Sequence, residues 1–77
     1  MAELAEIVAL KAEDIAALRY EQARESLDVV VTALEDAEVP LEDLMKLWEI
    51  GERLAAACEA HLTRAKERLE AATPSAE

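Results

Sequence analysis

Cys58 and His61 are the residues best suited by type to do chemistry, and their spacing of three could put a thiol and an imidazole on one helical face. Such a pair could make a thiolate–imidazole nucleophile or half of a metal site. A structural zinc site needs four ligands, and the chain holds one cysteine and one histidine. The competing reading makes Cys58 a small hydrophobe on an apolar seam and His61 a flanking surface residue. The other candidates are the 18 carboxylates. They are scattered along helix-prone segments, with no sign of a cleft that would desolvate one and prepare it for acid–base work. Pairs such as Glu42–Lys46 and Glu49–Arg53 have the i,i+4 spacing of solvated helix surfaces. There is no Ser/His/Asp set, glycine-rich phosphate loop or nucleotide motif, so the expectation is no catalytic residue, no metal and no cofactor.

The elements that would have to position any such group are helices. A chain of 77 residues is one small domain at most. Ala and Leu dominate its apolar fraction, Phe is absent, Trp48 and Tyr20 are its aromatics, and Gly51 is its single glycine, a composition that points to an all-α, coiled-coil-like protein. A net charge of −10 argues against gripping a phosphate backbone, so no direct nucleic-acid contact is expected. One cysteine excludes an internal disulfide. The N-terminus lacks the basic start of a leader and no apolar run approaches the ~20 residues of a membrane span, so the expectation is a soluble, cytoplasmic protein away from membranes.

The longest element spans residues 40–72. Starting at Leu41 and stepping alternately by three and four gives Leu41, Leu44, Trp48, Gly51, Ala55, Cys58, Leu62, Ala65, Leu69 and Ala72, with no charge among them. A period of 3.5 sustained this long predicts a helix lying along another at a shallow left-handed angle, on the order of 45–50 Å in length. The partner within the chain is a helix over about 19–37, whose own seam is Tyr20, Ala23, Leu27, Val30, Leu34 and Ala37. Its Val29-Val30-Val31 triplet costs helix propensity that burial must offset. Residues 38–40 form the turn, and Pro40 with Glu42 and Asp43 starts the second helix over about 41–72. So short a connection makes the two helices antiparallel neighbours. The expected fold is an all-α antiparallel helical hairpin that assembles into a dimer or a larger helical bundle.

Residues 1–18 are a helix-prone extension with a stripe at Leu4, Val8, Ile15 and Leu18 that is out of line with the hairpin. It forms either a separate helix or a kinked continuation, and Asp14 could cap a helix starting at Ile15. Residues 73–77 are expected to end the long helix as a flexible tail. The expected hairpin seam comprises Tyr20, Leu27, Val30, Leu34, Leu41, Leu44, Gly51, Ala55, Cys58, Leu62 and Leu69. Apolar residues exceed what that seam can hide. Val29, Val31, Met45, Leu47, Trp48, Ile50 and Leu54 widen the face and are the expected partner interface.

The ordered set Tyr20-Glu21-Gln22-Ala23, Leu27, Val30-Val31, Leu34-Glu35, Pro40-Leu41-Glu42-Asp43, Trp48-Glu49-Ile50-Gly51, Leu54-Ala55, Cys58, Leu62, Ala65 and Arg68-Leu69 resembles the small-subunit family of exodeoxyribonuclease VII over about residues 19–72. The resemblance implies a non-catalytic accessory that binds and stabilises a large catalytic subunit through helix packing, together with further copies of itself. That large subunit carries a DNA-binding OB domain and a nuclease domain, and the enzyme degrades single-stranded DNA from both ends to oligonucleotides. Ala37 stands where the family usually has a glycine, which predicts a turn built without the left-handed helix cap. Arg19 replaces a small capping residue, and residues 1–18 lie outside the resemblance. Two alternatives have no nuclease role. One is a secreted ESAT-6-like hairpin, whose turn carries Trp-x-Gly; here Trp48 and Gly51 are one residue further apart and lie inside the second helix. The other is a self-associating helical-hairpin adaptor, either regulatory or designed.

Overall fold

Pro40 cannot extend a preceding helix, and its carbonyl accepts the first bond of the next one from the Leu44 N–H at 3.0 Å. Glu42 and Asp43 place negative charge in the first turn of that helix, where the macrodipole favours it. In a computed structural model that describes residues 3–72, four helices follow one another: α1 Leu4–Val8, α2 Ala12–Ala16, α3 Tyr20–Leu34 and α4 Leu41–Ala72. No strand occurs among the described residues. At 32 residues α4 is about 48 Å long and accounts for most of the 54 Å length of the molecule. The tail at 73–77 lies outside the described residues.

α3 and α4 form the antiparallel hairpin. α3 opens where the Gln22 Oε1 accepts the Arg19 backbone N–H at 2.9 Å. It closes at Leu34, earlier than the expected residue 37, because Asp36 offers the backbone a competing partner. The Asp36 Oδ1 accepts the Glu38 N–H at 2.9 Å and the Asp36 carbonyl accepts the Val39 N–H at 3.3 Å. An Asx turn therefore makes the connection over 35–40, with no positive φ at any described residue. This is how the chain turns with Ala37 where a glycine was anticipated.

The extension is neither one helix nor a continuation of α3. α2 starts at Ala12, ahead of Ile15, and the Asp14 carboxylate reaches back to the Lys11 N–H at 3.0 Å from inside the first turn. Asp14 is thus not the cap residue of a helix starting at Ile15. α1 leans on both hairpin helices and α2 chiefly on α4. Their anchors are Ile7 and Ile15, both fully buried, whereas Leu4 and Val8 of the expected stripe are exposed. These two isoleucines complete a core made with Ala23, Val30, Leu47, Ile50, Leu54 and Cys58.

Candidate functional site

The structure gives Cys58 and His61 different surroundings. Cys58 is buried in the core, and its desolvation pushes the thiol above its ordinary range; nearby Arg24 opposes this and Asp28 adds to it. His61 is half-buried, not the surface residue expected. Its Nε2–H donates to the Leu18 carbonyl at 2.8 Å, which leaves Nδ1 to accept from the Arg64 guanidinium at 3.2 Å. The ring also meets Tyr20 edge-on, with centroids 6.5 Å apart. Both ring nitrogens are engaged away from a thiol that burial keeps protonated, so the two side chains make no nucleophilic dyad. His61 instead ties the junction of α2 and α3 to α4. Its partner is 43 residues away in sequence, and no local pattern announces such a contact. Among the described residues no three acidic, His or Cys side chains converge to hold a metal, and no helix is long and apolar enough to cross a membrane.

What the chain presents instead is a helix surface, and the inward and outward faces of α4 differ from the sequence expectation. The inward face is Leu47, Ile50, Gly51, Leu54 and Cys58, continued by His61. Leu47, Ile50 and Leu54, expected to face a partner, are therefore core residues, with Leu54 completely inaccessible. Much of the expected seam points outward: Leu41, Ala55, Leu62 and Leu69 are exposed and Leu44 is half-buried. Within the expected seam, Val30, Gly51 and Cys58 are buried and Tyr20, Leu27 and Leu34 are half-buried against the core. Of the remaining expected interface residues, Val31, Met45 and Trp48 are exposed and Val29 is half-buried.

Two physical causes account for the exchange. First, α1 and α2 cover the Leu47–Ile50–Leu54 side of the hairpin, which the hairpin alone would leave open. Second, α3 has 15 residues against 32 in α4, so the C-terminal part of α4 runs past its partner. Beyond His61 every described residue is exposed, with Leu62 at 54% and Leu69 at 67%. Side chains at heptad spacing thus form an outward stripe from Leu41 through Trp48 and Ala55 to Leu62, Ala65, Leu69 and Ala72. Where this stripe passes α3, Trp48 stands at 61% exposure beside a shallow hollow of about 230 Å³ formed with Leu27, Val31 and Leu34.

Gly51 sets the depth of that hollow. A Cβ built on it would lie 3.3 Å from the Val30 Cγ1, tighter than ordinary van der Waals contact, so the glycine lets α3 and α4 approach closely at this level. Val30 is the member of the β-branched triplet that fills the space, completely inaccessible between the helices, while Val31 points outward.

Comparison with known proteins identifies a family for the hairpin. The family model described as "Exonuclease VII small subunit" matches residues 20–71, the hairpin without α1 and α2. The exodeoxyribonuclease 7 small subunit of Leifsonia xyli is 50% identical over 68 residues, covering 88% of this chain and 74% of that protein. The protein of the same name from Arthrobacter is 54% identical over 59 residues, 77% of this chain and 78% of its own. A more distant one, from Phenylobacterium zucineum, is 44% identical over 57 residues, 74% of this chain and 71% of that protein. No solved structure matches. On the hairpin and on these relatives together, the chain belongs to the exodeoxyribonuclease VII small-subunit family.

Proposed function

We propose that this chain is the non-catalytic subunit of a two-component exodeoxyribonuclease. In this reading it docks the outward heptad stripe of α4 along helices of a large catalytic subunit, and the large subunit performs the degradation of single-stranded DNA to oligonucleotides. The observation that carries the reading is the stripe itself. It combines the 3.5-residue period of a helix built to lie against another helix with the exposure of Trp48, Leu62 and Leu69, which no partner among the described residues relieves. A large aromatic standing over a hollow, with aliphatic residues continuing along one line, has the make-up of an interface centre. The net charge of −10 suits a subunit that leaves DNA to its partner. Further copies of the chain bind side by side along the partner helices, and the site of action is the cytoplasm.

The test is co-purification with the large subunit from the same genome, followed by a single-stranded DNA degradation assay. The wild-type chain is expected to co-elute and to support degradation. Trp48→Glu combined with Leu62→Glu is expected to lose both while keeping its helical circular dichroism, since neither residue is in the core. Co-elution of the double variant refutes the stripe as the docking face. Failure of the wild type to associate refutes the accessory role.

A further inference from the structure

The two parts of α4 differ in what keeps them helical. From Leu44 to His61 no four consecutive residues pass without one that is buried or half-buried, so every turn is pinned by packing. From residue 62 to residue 72 none is. The boundary lies where α3 begins: the Tyr20 ring meets His61 edge-on, and the His61 Nε2–H donates to the Leu18 carbonyl. Past it, Arg64 turns back to the His61 Nδ1 at 3.2 Å, a bond within α4 itself. Among the described residues no ion pair braces this arm. An isolated helix shorter than ~12–15 residues is marginal in water. Here the rest of α4 supplies the nucleus, so each further residue adds only a propagation step that is close to neutral. Opening the arm from its C-terminal side therefore has a free energy near zero, as at a fraying helix terminus.

We infer that residues 62–72 form a docking arm that exchanges between coil and helix in the isolated chain and becomes fully helical only against a helix of the large subunit. The inference rests on the accessory-subunit reading above and adds a coupling between folding and docking. Helix formation puts Leu62, Ala65, Leu69 and Ala72 in one line, continuous with Trp48 and Ala55; the coil scatters them. The alternation of leucine and alanine leaves room beside each alanine for a large aliphatic side chain of the partner helix. Because only the helical arm is competent, the apparent affinity scales with the fraction of chains in which it is formed. Docking strength is then set in part by helix propensity at positions that touch nothing.

The test uses two full-length variants changed on the face of the arm turned away from the stripe, Thr63→Ala/Glu67→Ala and Thr63→Gly/Glu67→Gly. Both lose the same polar groups and the same charge. They differ in helix propensity, by a factor of about five per position in the helix–coil equilibrium. With the alanine arm near half-helical and the glycine arm mostly coil, affinity for the large subunit is expected to fall about tenfold from the first variant to the second. Both are expected to keep the wild-type Tm, since Thr63 and Glu67 are exposed. Hydrogen exchange on the dilute free chain should find the amides of residues 66–72 close to unprotected and those of 47–58 protected, with 66–72 gaining protection when the large subunit is added. Affinities of the two variants within twofold of each other overturn the proposal, because the arm is then either already formed or unused. Protection of 66–72 in the free chain equal to that of 47–58 overturns it as well. Absence of wild-type binding refutes the accessory reading on which the inference rests, and it is seen before any variant is compared.

Discussion

Leu54 and Leu62 are both leucines of α4, eight residues apart, and the structure assigns them opposite roles. Leu54 is completely inaccessible, in the cluster with Val30, Leu47 and Ile50, while Leu62 is 54% exposed beyond the end of α3. Replacing Leu54 by Ala removes three carbons from a packed site and leaves a cavity, at a cost of about 2–5 kcal/mol. A chain of 77 residues has a total stability of about 4–12 kcal/mol, so this one change removes a large share of it. At about 4–8 °C per kcal/mol for a domain of this size, Leu54→Ala should lower Tm by roughly 10 °C or more. Leu62→Ala touches no intrachain core and should stay within about 0.5 kcal/mol, a shift of a few degrees at most. Thermal unfolding followed by circular dichroism at 222 nm measures both. It should be run at several protein concentrations, because association through the outward stripe would make the Leu62 effect depend on concentration. If Leu62→Ala costs as much as Leu54→Ala in the range where Tm is independent of concentration, the heptad stripe faces inward and the assignment of faces is wrong.

Gly51 offers a check on helix spacing. Gly51→Ala should be nearly neutral, within about 1 kcal/mol, because its gain in helix propensity offsets the crowding of Val30 across a 3.3 Å gap. Gly51→Leu has no room and should separate α3 from α4, which urea unfolding and the loss of helical signal would reveal. The Cys58 thiol is held above its usual range by burial, so it should alkylate much more slowly than a free cysteine at pH 8, and unfolding in urea should restore the rate. The same shift means that folding favours the neutral thiol. Its contribution to stability is therefore fully present below the unfolded-state value near 9.0 and is lost as pH rises through the higher folded-state value. A Cys58→Ser comparison of stability against pH between 7 and 11 should show that loss in the wild type alone.

Much of the architecture was legible along the chain. Pro40 followed by acidic residues marks the start of α4, unbroken helix-forming residues give its length, and a short connection after Leu34 dictates an antiparallel hairpin. The ordered motif from Tyr20 to Leu69 was enough to suggest the family that the comparisons then established. The extension was less readable. Ile7 is not on the stripe drawn through Leu4 and Val8, and a segment of two five-residue helices has too few turns for its period to show.

Which way α4 faces could be decided only in three dimensions. Between Leu41 and Leu54 the helix is apolar over so much of its circumference that two seams can be drawn along it. One keeps the strict 3.5 period through Leu41, Trp48, Ala55 and Leu62, and the other runs through Leu47, Ile50, Leu54 and Cys58. Neighbouring residues on a helix are about 100° apart, so a one-residue difference in phase exchanges core for surface. Period alone shows that a helix will lie against another helix, whether that partner belongs to the same chain or to a different one. The choice was made by the length of α3, which ends before it can cover Leu62 and Leu69, and by the docking of Ile7 and Ile15 over the second seam. Composition and period determined a helical hairpin with surplus apolar surface. The tertiary packing determined that the surplus left open is the heptad stripe.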